Sequence, residues 1–326
     1  MKNAAYTIEA LTPVPDHVLG TREEFNMLTY GPSEVLLAKD GPEIAGAVRL
    51  ALRQDARRQH GLIADLSVHE DYARQGIEED LIAAAEERLK ASGVTKIDAI
   101  VRDGEGATVP FYERGYWAAR KMVLLTWDLR TLDRLESSQE FTIEEQSSPD
   151  PAFFTEFILN SYQPYWRWWK EYKEDTRWHR VEYPAEPEAP PSEELAQEMR
   201  ARIEARVASF GAGAPQTLFV ARSNGEVVGL CDAKAVADDT TFDWGLLVRR
   251  DYGGRRIGSA LLGHALHWLK AQGMSTARIV TTSGLDDYDP TVYLYAFSYG
   301  GVISAEYLNL VKRRLYGANA GDGDES

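Results

Sequence analysis

The stretch LLVRRDYGGRRIGSALL, from Leu246 to Leu262, places an apolar strand pattern, a loop of glycines and arginines and an apolar helix pattern in direct succession. The helix is predicted to begin near Ile257, where apolar residues start to recur at helical spacing. Backbone N–H groups at a helix start lack partners within the helix, and the helix dipole adds partial positive charge there. Because glycines let the main chain approach a ligand closely, the loop suits a pyrophosphate, with an ordinary strand-to-helix turn and solvated arginines as the alternative.

A similar pattern lies in the first half of the chain, so the sequence carries a weak internal repeat. VHEDYARQGIEEDL from Val68 matches VRRDYGGRRIGSAL from Val248, and AKDGPEIAG from Ala38 matches ARSNGEVVG from Ala221 at nearly the same spacing. YTIEAL from Tyr6 resembles FTIEEQ from Phe141, and these two segments lie much closer together in the chain. This mismatch in spacing indicates an insertion between the first two strands of the second half.

Within each half, strand and helix patterns follow in the same order, which predicts an α/β (α+β) chain of two domains. In the first half, a turn at Asp40-Gly41-Pro42 joins two β-rich runs into a hairpin, and the helix from Ile77 ends at Ser92-Gly93. The helix of the second half ends at Gln272-Gly273. We expect domains at residues 1–135 and 139–316, an insertion around 153–215, and a disordered tail at 317–326.

The composition of the chain argues against several kinds of binding partner and site. The chain of 326 residues has 36 Lys+Arg against 51 Asp+Glu, a net charge of −15, which disfavours nucleic acid as a partner. Its one cysteine, Cys231, excludes an intramolecular disulfide and a Cys-rich zinc site, and we expect no metal. The N-terminal residues lack the apolar core of a signal peptide, and no long apolar run occurs, so we expect a cytoplasmic protein without a membrane partner.

The order hairpin, strand ending in Val, D-Y-x-x-x-x-I-G-S-A-L-L, strand, helix, strand resembles the GNAT superfamily of acyl-CoA N-acyltransferases over both halves. The resemblance implies two tandem GNAT-like domains, each a mixed, mostly antiparallel sheet flanked by helices. It also implies acetyl-CoA as co-substrate, with its pyrophosphate wrapped by the family motif Gln/Arg-x-x-Gly-x-Gly/Ala. That motif falls on Gly253 to Gly258, where Gly258 matches while Gly253 and Arg256 depart from it. The residues expected to hold acetyl-CoA are Leu246, Val248, Gly253, Gly254, Arg255, Arg256, Ile257, Gly258 and Ser259.

The corresponding loop of the first half, Ala73 to Glu78, is acidic where the second is basic. Gly76 matches the motif, but the helix then begins with Glu78, Glu79 and Asp80. These carboxylates favour the helix through its dipole and repel a pyrophosphate. We therefore predict that the second half binds acetyl-CoA and that the first half does not.

The resemblance also implies two reacting groups and a pair of backbone donors. The strand before the loop would offer N–H groups to the thioester carbonyl, at Leu246 and Leu247. Asp243, the acidic residue of TTFDWGLLV, is the candidate base, with a solvent-facing strand residue as the alternative. The family's Tyr four residues before a Gly is absent here, and Tyr295 is the candidate acid for the departing thiolate, with packing on the sheet as the alternative.

The insertion contains YQPYWRWWKEYKEDTRWHRVEY, Tyr162 to Tyr183, with half of the eight tryptophans. By analogy with GNAT-like proteins, Trp166, Trp169 and Tyr172 would line the pocket of a small-molecule amine, because aromatic faces suit a cation or a flat ring. Packing between the two domains, or a homodimer surface, is equally compatible with these aromatics.

These observations predict an enzyme, an acetyl-CoA-dependent N-acetyltransferase acting on a small amine. Transfer would occur by direct attack within a ternary complex, with catalysis in the C-terminal domain. The alternative is a non-catalytic CoA-binding or assembly protein of the same fold, supported by the altered loop motif. Binding of acetyl-CoA without turnover of any amine would favour the alternative.

Overall fold

The structure is a computed structural model. It describes residues 6–11, 33–54, 59–94, 96–104, 106–135, 138–162, 193–208, 210, 213, 215–236, 245–285 and 288–312. Its strands are β1 (Thr7–Leu11), β2 (Ser33–Asp40), β3 (Glu43–Gln54), β4 (Gln59–Val68), β5 (Lys96–Arg102), β6 (Trp117–Asp128), β7 (Thr142–Gln146), β8 (Gln216–Ser223), β9 (Glu226–Lys234), β10 (Leu246–Val248), β11 (Thr276–Ser283) and β12 (Val302–Lys312). Its α-helices are α1 (Ile77–Ala91), α2 (Val109–Glu113), α3 (Pro151–Tyr162), α4 (Glu193–Ala208), α5 (Ile257–Ala271) and α6 (Pro290–Ala296).

Local sequence signals set the turns and the helix ends. The hairpin β2–β3 closes through Gly41 at φ +60°, a left-handed backbone conformation that glycine adopts readily. Helices α1 and α5 both end as predicted, each followed by a glycine in the left-handed region, Gly93 at φ +79° and Gly273 at φ +86°. The predicted hairpin and both principal helices are confirmed.

The chain divides into two compact units. The first comprises residues 1–123, 282–288 and 305–326, and the second comprises residues 124–281 and 289–304. This division differs from the contiguous domains predicted at 1–135 and 139–316. The difference arises because β12, the last strand along the chain, pairs with β5 of the first unit, from Tyr307 opposite Arg102 to Lys312 opposite Ile97.

The first unit is built on a sheet with the strand order β1-β2-β3-β4-β5-β12-β6, to which β12 contributes from Ala305 and β6 up to Val123. Most neighbours in this sheet are antiparallel, and β4 runs parallel to β5. Helix α1 buries Leu81, Ala85 and Leu89 in the core beneath it. These residues recur once per helical turn, so they form one apolar face.

A buried carboxylate lies beside the apolar face of α1. Glu86 is 1% exposed and accepts hydrogen bonds from Arg114 Nη2 at 2.9 Å and Lys312 Nζ at 2.8 Å. The Lys312 ammonium also lies 5.3 Å from the centre of the Tyr116 ring. Lys312 is the last residue of β12, so its hydrogen bond to Glu86 helps to hold the end of this strand in the first unit.

The second unit contains a four-stranded sheet in the order β10-β9-β8-β7, antiparallel throughout. One face is covered by α3 and α4, which contribute Phe154, Ile158 and Ile203 to a core shared with Leu218 and Leu230. Helix α5 packs against β8, β9 and β10. Within the described ranges, no helix is both long and apolar enough to cross a membrane.

Candidate functional site

The second unit leaves one edge of a strand open beside the arginine-rich loop. Strand β10, from Leu246 to Val248, is the edge of the four-stranded sheet, pairing with β9 through Leu246 opposite Cys231 and Val248 opposite Gly229. Among the residues that the structure describes, β10 pairs with no other strand. Strand β11, which follows in the chain, neighbours β6 in another sheet.

The open edge of β10 carries two outward backbone donors. The N–H of Arg249 donates to the carbonyl of Val228 at 2.8 Å, toward β9. Successive N–H groups of an antiparallel strand point to opposite sides, so the N–H of Leu247 also points toward β9. The N–H groups of Leu246 and Val248 then point to the open edge. The register thus favours Leu246 and Val248 as donors and disfavours Leu247.

The residue before β10 adopts a left-handed backbone conformation and lies close to a tyrosine. Gly245 has φ +67°, and a β-carbon there would lie 3.3 Å from the hydroxyl of Tyr295. In the first unit, Asp65 stands at the equivalent position of the repeat with φ +51°, where the pairing of β3 with β4 shifts between Ala47 and Arg49. The shift marks a β-bulge in the first unit, a feature that can re-aim the backbone. For the left-handed position in the second unit, the sequence offered no local signal beyond a glycine before the strand.

Tyr295 is the buried tyrosine of α6. It is 2% exposed, and its ring packs edge-on against Trp127 with centroids 5.8 Å apart and an interplanar angle of 86°. Tyr293, on the same helix, is 48% exposed and stacks on Phe297. Tyr295 therefore combines a packed ring with a hydroxyl beside Gly245. Both roles considered for it from sequence are compatible with this placement.

The two loops share one backbone conformation despite their different sequences. Gly254 and Arg256 have φ +75° and +61°, and their counterparts Arg74 and Gly76 have φ +64° and +83°. Each loop thus places an arginine at one left-handed position, at a cost of roughly 1–2 kcal/mol. Arg256 replaces the middle glycine of the family motif without changing the path of the loop.

The start of α5 is packed closely around Gly258. A β-carbon there would lie 2.8 Å from Cδ1 of Leu294 and 3.1 Å from Cδ2 of Leu246. A side chain at this position would displace the Leu294 side chain, so glycine favours the close approach of α5 to α6 and β10. Ile257 is buried at the same turn, and the hydroxyls of Ser259 and Ser298 lie 2.7 Å apart.

The arginines of the second loop differ in their surroundings. Arg249 is held by carboxylates, with Nη2 2.6 Å from Oδ2 of Asp251 and Nη1 3.1 Å from Oε2 of Glu226. Hydrogen bonding from Arg249 lowers the pKa of the Asp251 carboxyl. The guanidinium of Arg255 lies 4.8 Å from the centre of the Tyr252 ring. Three other arginines in and beside this loop are exposed to solvent, namely Arg250, Arg255 and Arg256.

The first loop places negative charge at the equivalent helix start. The hydroxyl of Tyr6 donates to Asp80 in the first turn of α1. Burial, this hydrogen bond and the charges of Asp80, Glu79 and Glu78 raise the pKa of Tyr6 to about 12. The phenol therefore stays protonated next to three carboxylates.

Four of the candidates from sequence, Asp243, Trp166, Trp169 and Tyr172, lie outside the described residues. The structure adds one residue that the sequence did not single out, Asp232 of β9, which is 0% exposed. Its signal was a lone carboxylate within the apolar run VVGLCDAK. Over the described ranges, no group of three or more His, Cys, Asp or Glu side chains is placed to hold a metal ion.

Comparison with known proteins decides the family. The profile of the Acetyltransferase (GNAT) family matches residues 3–116 and again residues 155–297. This chain belongs to the GNAT family. The two matches also confirm the predicted tandem arrangement, and the structure confirms the predicted fold class, α/β with mostly antiparallel sheets flanked by helices.

This GNAT protein is similar to an acetyltransferase of Sodalis glossinidius, with 33% identity over 98 residues, covering 30% of this chain and 66% of that relative, just under two thirds of its length. Among solved structures it resembles a GCN5-related N-acetyltransferase of Sphaerobacter thermophilus, at 15% identity and a TM-score of 0.59 over 86% of this chain and 80% of that one. It also resembles a tandem GNAT protein from the clavulanic acid biosynthesis pathway, at 16% identity and a TM-score of 0.58 over 89% and 86% of the two chains. At such identities the structural likeness shows the fold alone.

GNAT proteins in general use acetyl-CoA, and the two loops of this GNAT protein fit it differently. The second loop offers exposed arginines, two left-handed backbone positions and a helix start, a combination that suits a pyrophosphate. At the first loop, a phosphate about 4 Å from Glu78 or Glu79 would meet a repulsion of about 1–4 kcal/mol per charge pair. The residues of the second loop fit the group, and those of the first do not.

Proposed function

We propose that this GNAT protein is an acetyl-CoA-dependent N-acetyltransferase that acetylates the amine of a small molecule, with catalysis in the second unit. The observation that carries the proposal is the open edge of β10, where the N–H groups of Leu246 and Val248 lead directly into the arginine-rich loop and α5. The acidic start of α1 supports assignment of the reaction to the second unit. Acetyl-CoA supplies the acetyl group as an activated thioester.

Three groups of residues in the second unit have separate roles in the proposed reaction. The backbone of Gly253 to Ser259, with Arg255 and Arg256, holds the pyrophosphate at the start of α5. The N–H groups at the open edge of β10 donate to the acyl oxygen and stabilise the charge that develops there. The hydroxyl of Tyr295, which lies close to Gly245, donates a proton to the leaving sulfur.

The acceptor side of the proposal involves residues outside the described ranges. Asp243, two positions before Gly245, is the proposed acceptor of the amine proton, since direct attack requires a neutral amine. Trp166, Trp169 and Tyr172 are proposed to line the acceptor pocket. Direct transfer within a ternary complex needs no covalent acyl-enzyme, which agrees with the burial of Cys231, since that burial raises the pKa of its thiol and disfavours the nucleophilic thiolate.

The proposal is tested first by calorimetric titration with acetyl-CoA, in which one site per chain is expected. Ser259→Glu places at the start of α5 the carboxylate that Glu79 places at the start of α1. We expect this variant to weaken acetyl-CoA binding at least tenfold, about 1.4 kcal/mol or more, through charge repulsion. The helix itself should remain stable, because an acidic residue in the first turn is favourable.

Glu79→Ser is the matched control in the first loop. We expect its affinity for acetyl-CoA to stay within about twofold of the parent protein, well below a tenfold step. Tighter binding or a second site in Glu79→Ser would contradict the assignment to the second unit. Binding followed by no acetylation across a panel of small amines would instead support a non-catalytic CoA-binding protein.

A further inference from the structure

The turn that follows α6 is attached to a buried tryptophan. Trp127 lies in the part of β6 that belongs to the second unit, and it is 1% exposed. Its Nε1–H donates to the carbonyl oxygen of Ser298 at 3.0 Å, and the N–H of Gly301 donates to the same oxygen at 3.2 Å. One carbonyl oxygen therefore closes the turn at residues 298–301 and fastens this turn to β6.

The packing around the 298–301 turn holds it in one position. A β-carbon on Gly301 would overlap the carbonyl oxygen of Tyr295 and lie 2.7 Å from Nε1 of Trp127. Within the turn, Tyr299 and Gly300 have φ +55° and +73°. A left-handed conformation is unfavourable for a tyrosine and persists only where the surrounding contacts enforce it. Tertiary contacts thus set the position of the turn, and the hydrogen bond from Trp127 is one of them.

The same contacts determine where Tyr295 lies. Its ring packs edge-on against the Trp127 indole, with centroids 5.8 Å apart, and its hydroxyl lies close to Gly245. The hydroxyl of Ser298 lies 2.7 Å from that of Ser259, in the first turn of α5. The end of α6 is therefore tied to β6 through Trp127 and to α5 through Ser298, and α6 is the helix that carries the proposed acid.

We propose that Trp127, acting with Ser298 through the 298–301 turn, is a positioning residue for Tyr295. This inference rests on the proposed acetyl transfer, in which Tyr295 protonates the leaving sulfur. Because Trp127 is 1% exposed, it acts through Tyr295 rather than on the substrates. Its ring supports the phenol, and its N–H holds the turn at the end of α6. A proton donor must lie within hydrogen-bond reach of its acceptor, and a displacement of about 1 Å can lower the rate about 100-fold.

The test is a double-mutant cycle of Trp127 and Tyr295. Trp127→Phe removes the N–H donor and narrows the ring, so we expect kcat to fall about tenfold or more while KM for acetyl-CoA stays within about threefold. In the Tyr295→Phe background the same substitution should lower kcat by about twofold or less, because no proton donor is left to position. A merely structural role would give the same fold-loss in both backgrounds. That result, or an unchanged kcat in Trp127→Phe, would overturn the inference.

Trp117→Phe is the matched control, because it makes the same chemical change at the start of the same strand, in the first unit. We expect its kcat to stay within about twofold of the parent protein. Equal losses in the two tryptophan variants would show that Trp127 has no special relation to the reaction, and would also overturn the inference.

Ser298→Ala provides a second variant in case Trp127→Phe does not fold. It removes only the hydroxyl that meets Ser259 and so loosens the same turn from α5. We expect kcat to fall about threefold or more when Tyr295 is present, and to change little in Tyr295→Phe. Equal effects in both backgrounds would overturn the positioning role alone. Full activity in Tyr295→Phe would overturn the assignment of the acid, and a parent protein that acetylates no amine would overturn the acetyltransferase proposal itself.

Discussion

Tyr295→Phe is expected to lower kcat for acetyl transfer about 100-fold or more, the usual contribution of a positioned general acid. A β-carbon placed on Gly245 would lie 3.3 Å from the hydroxyl of Tyr295. Gly245 directly precedes Leu246, whose N–H group points to the open edge of β10. Removing only that hydroxyl leaves the departing sulfur without its proposed proton donor. The measurement is release of free thiol under saturating acetyl-CoA and acceptor.

The substitution leaves the ring in place, so its edge-on packing against Trp127 should be retained. We therefore expect acetyl-CoA affinity and the unfolding midpoint to change little. Tyr293→Phe is the matched control, because Tyr293 lies on the same helix and is 48% exposed. Full activity in Tyr295→Phe would remove Tyr295 from the reaction and leave packing as its role.

Glu86→Gln is expected to lower the free energy of unfolding of the first unit by about 3 kcal/mol or more. The substitution leaves the cations of Arg114 and Lys312 partly buried without the carboxylate that neutralises them. It also weakens the attachment of the end of β12. Urea unfolding followed by circular dichroism measures the loss.

Glu87→Gln provides the comparison at the next position. Its carboxylate is 75% exposed and pairs with Lys90 at 2.9 Å across one turn of α1. Exposed pairs of this type contribute less than about 1 kcal/mol, so little change is expected. Equal losses in the two variants would show that burial of Glu86 has no special effect.

The buried carboxylate of Glu86 also predicts how the stability of the first unit depends on pH. Burial alone would raise the pKa of Glu86, but hydrogen bonds from Arg114 and Lys312 and their charges lower it below its ordinary value. A group whose pKa is lower in the folded state contributes its full stability above the unfolded value, about 4.3 for Glu. That contribution disappears as the pH falls through the lower folded value. The parent protein should therefore lose more stability than Glu86→Gln on acidification below about pH 4.3.

Much of the fold was predictable because the signals are local. Helices α1 and α5 follow from apolar residues at helical spacing, and the β2–β3 turn follows from Asp40-Gly41-Pro42. The loop from Gly253 to Gly258 was recognisable from its place between a strand and a helix. The conformation of this loop was harder to predict, because Arg256 adopts a left-handed backbone at a position where the family motif has glycine.

The sequence by itself determined the repeat, the tandem GNAT fold and the opposite charges of the two loops, since each depends on residue type at fixed spacing. Tertiary structure decided the strand partner of β12, the outward direction of the Leu246 and Val248 N–H groups, and the burial of Asp232. These features depend on which strands pair and in which register. Residues far apart in the chain set that register through packing and hydrogen bonding, and no local pattern records it.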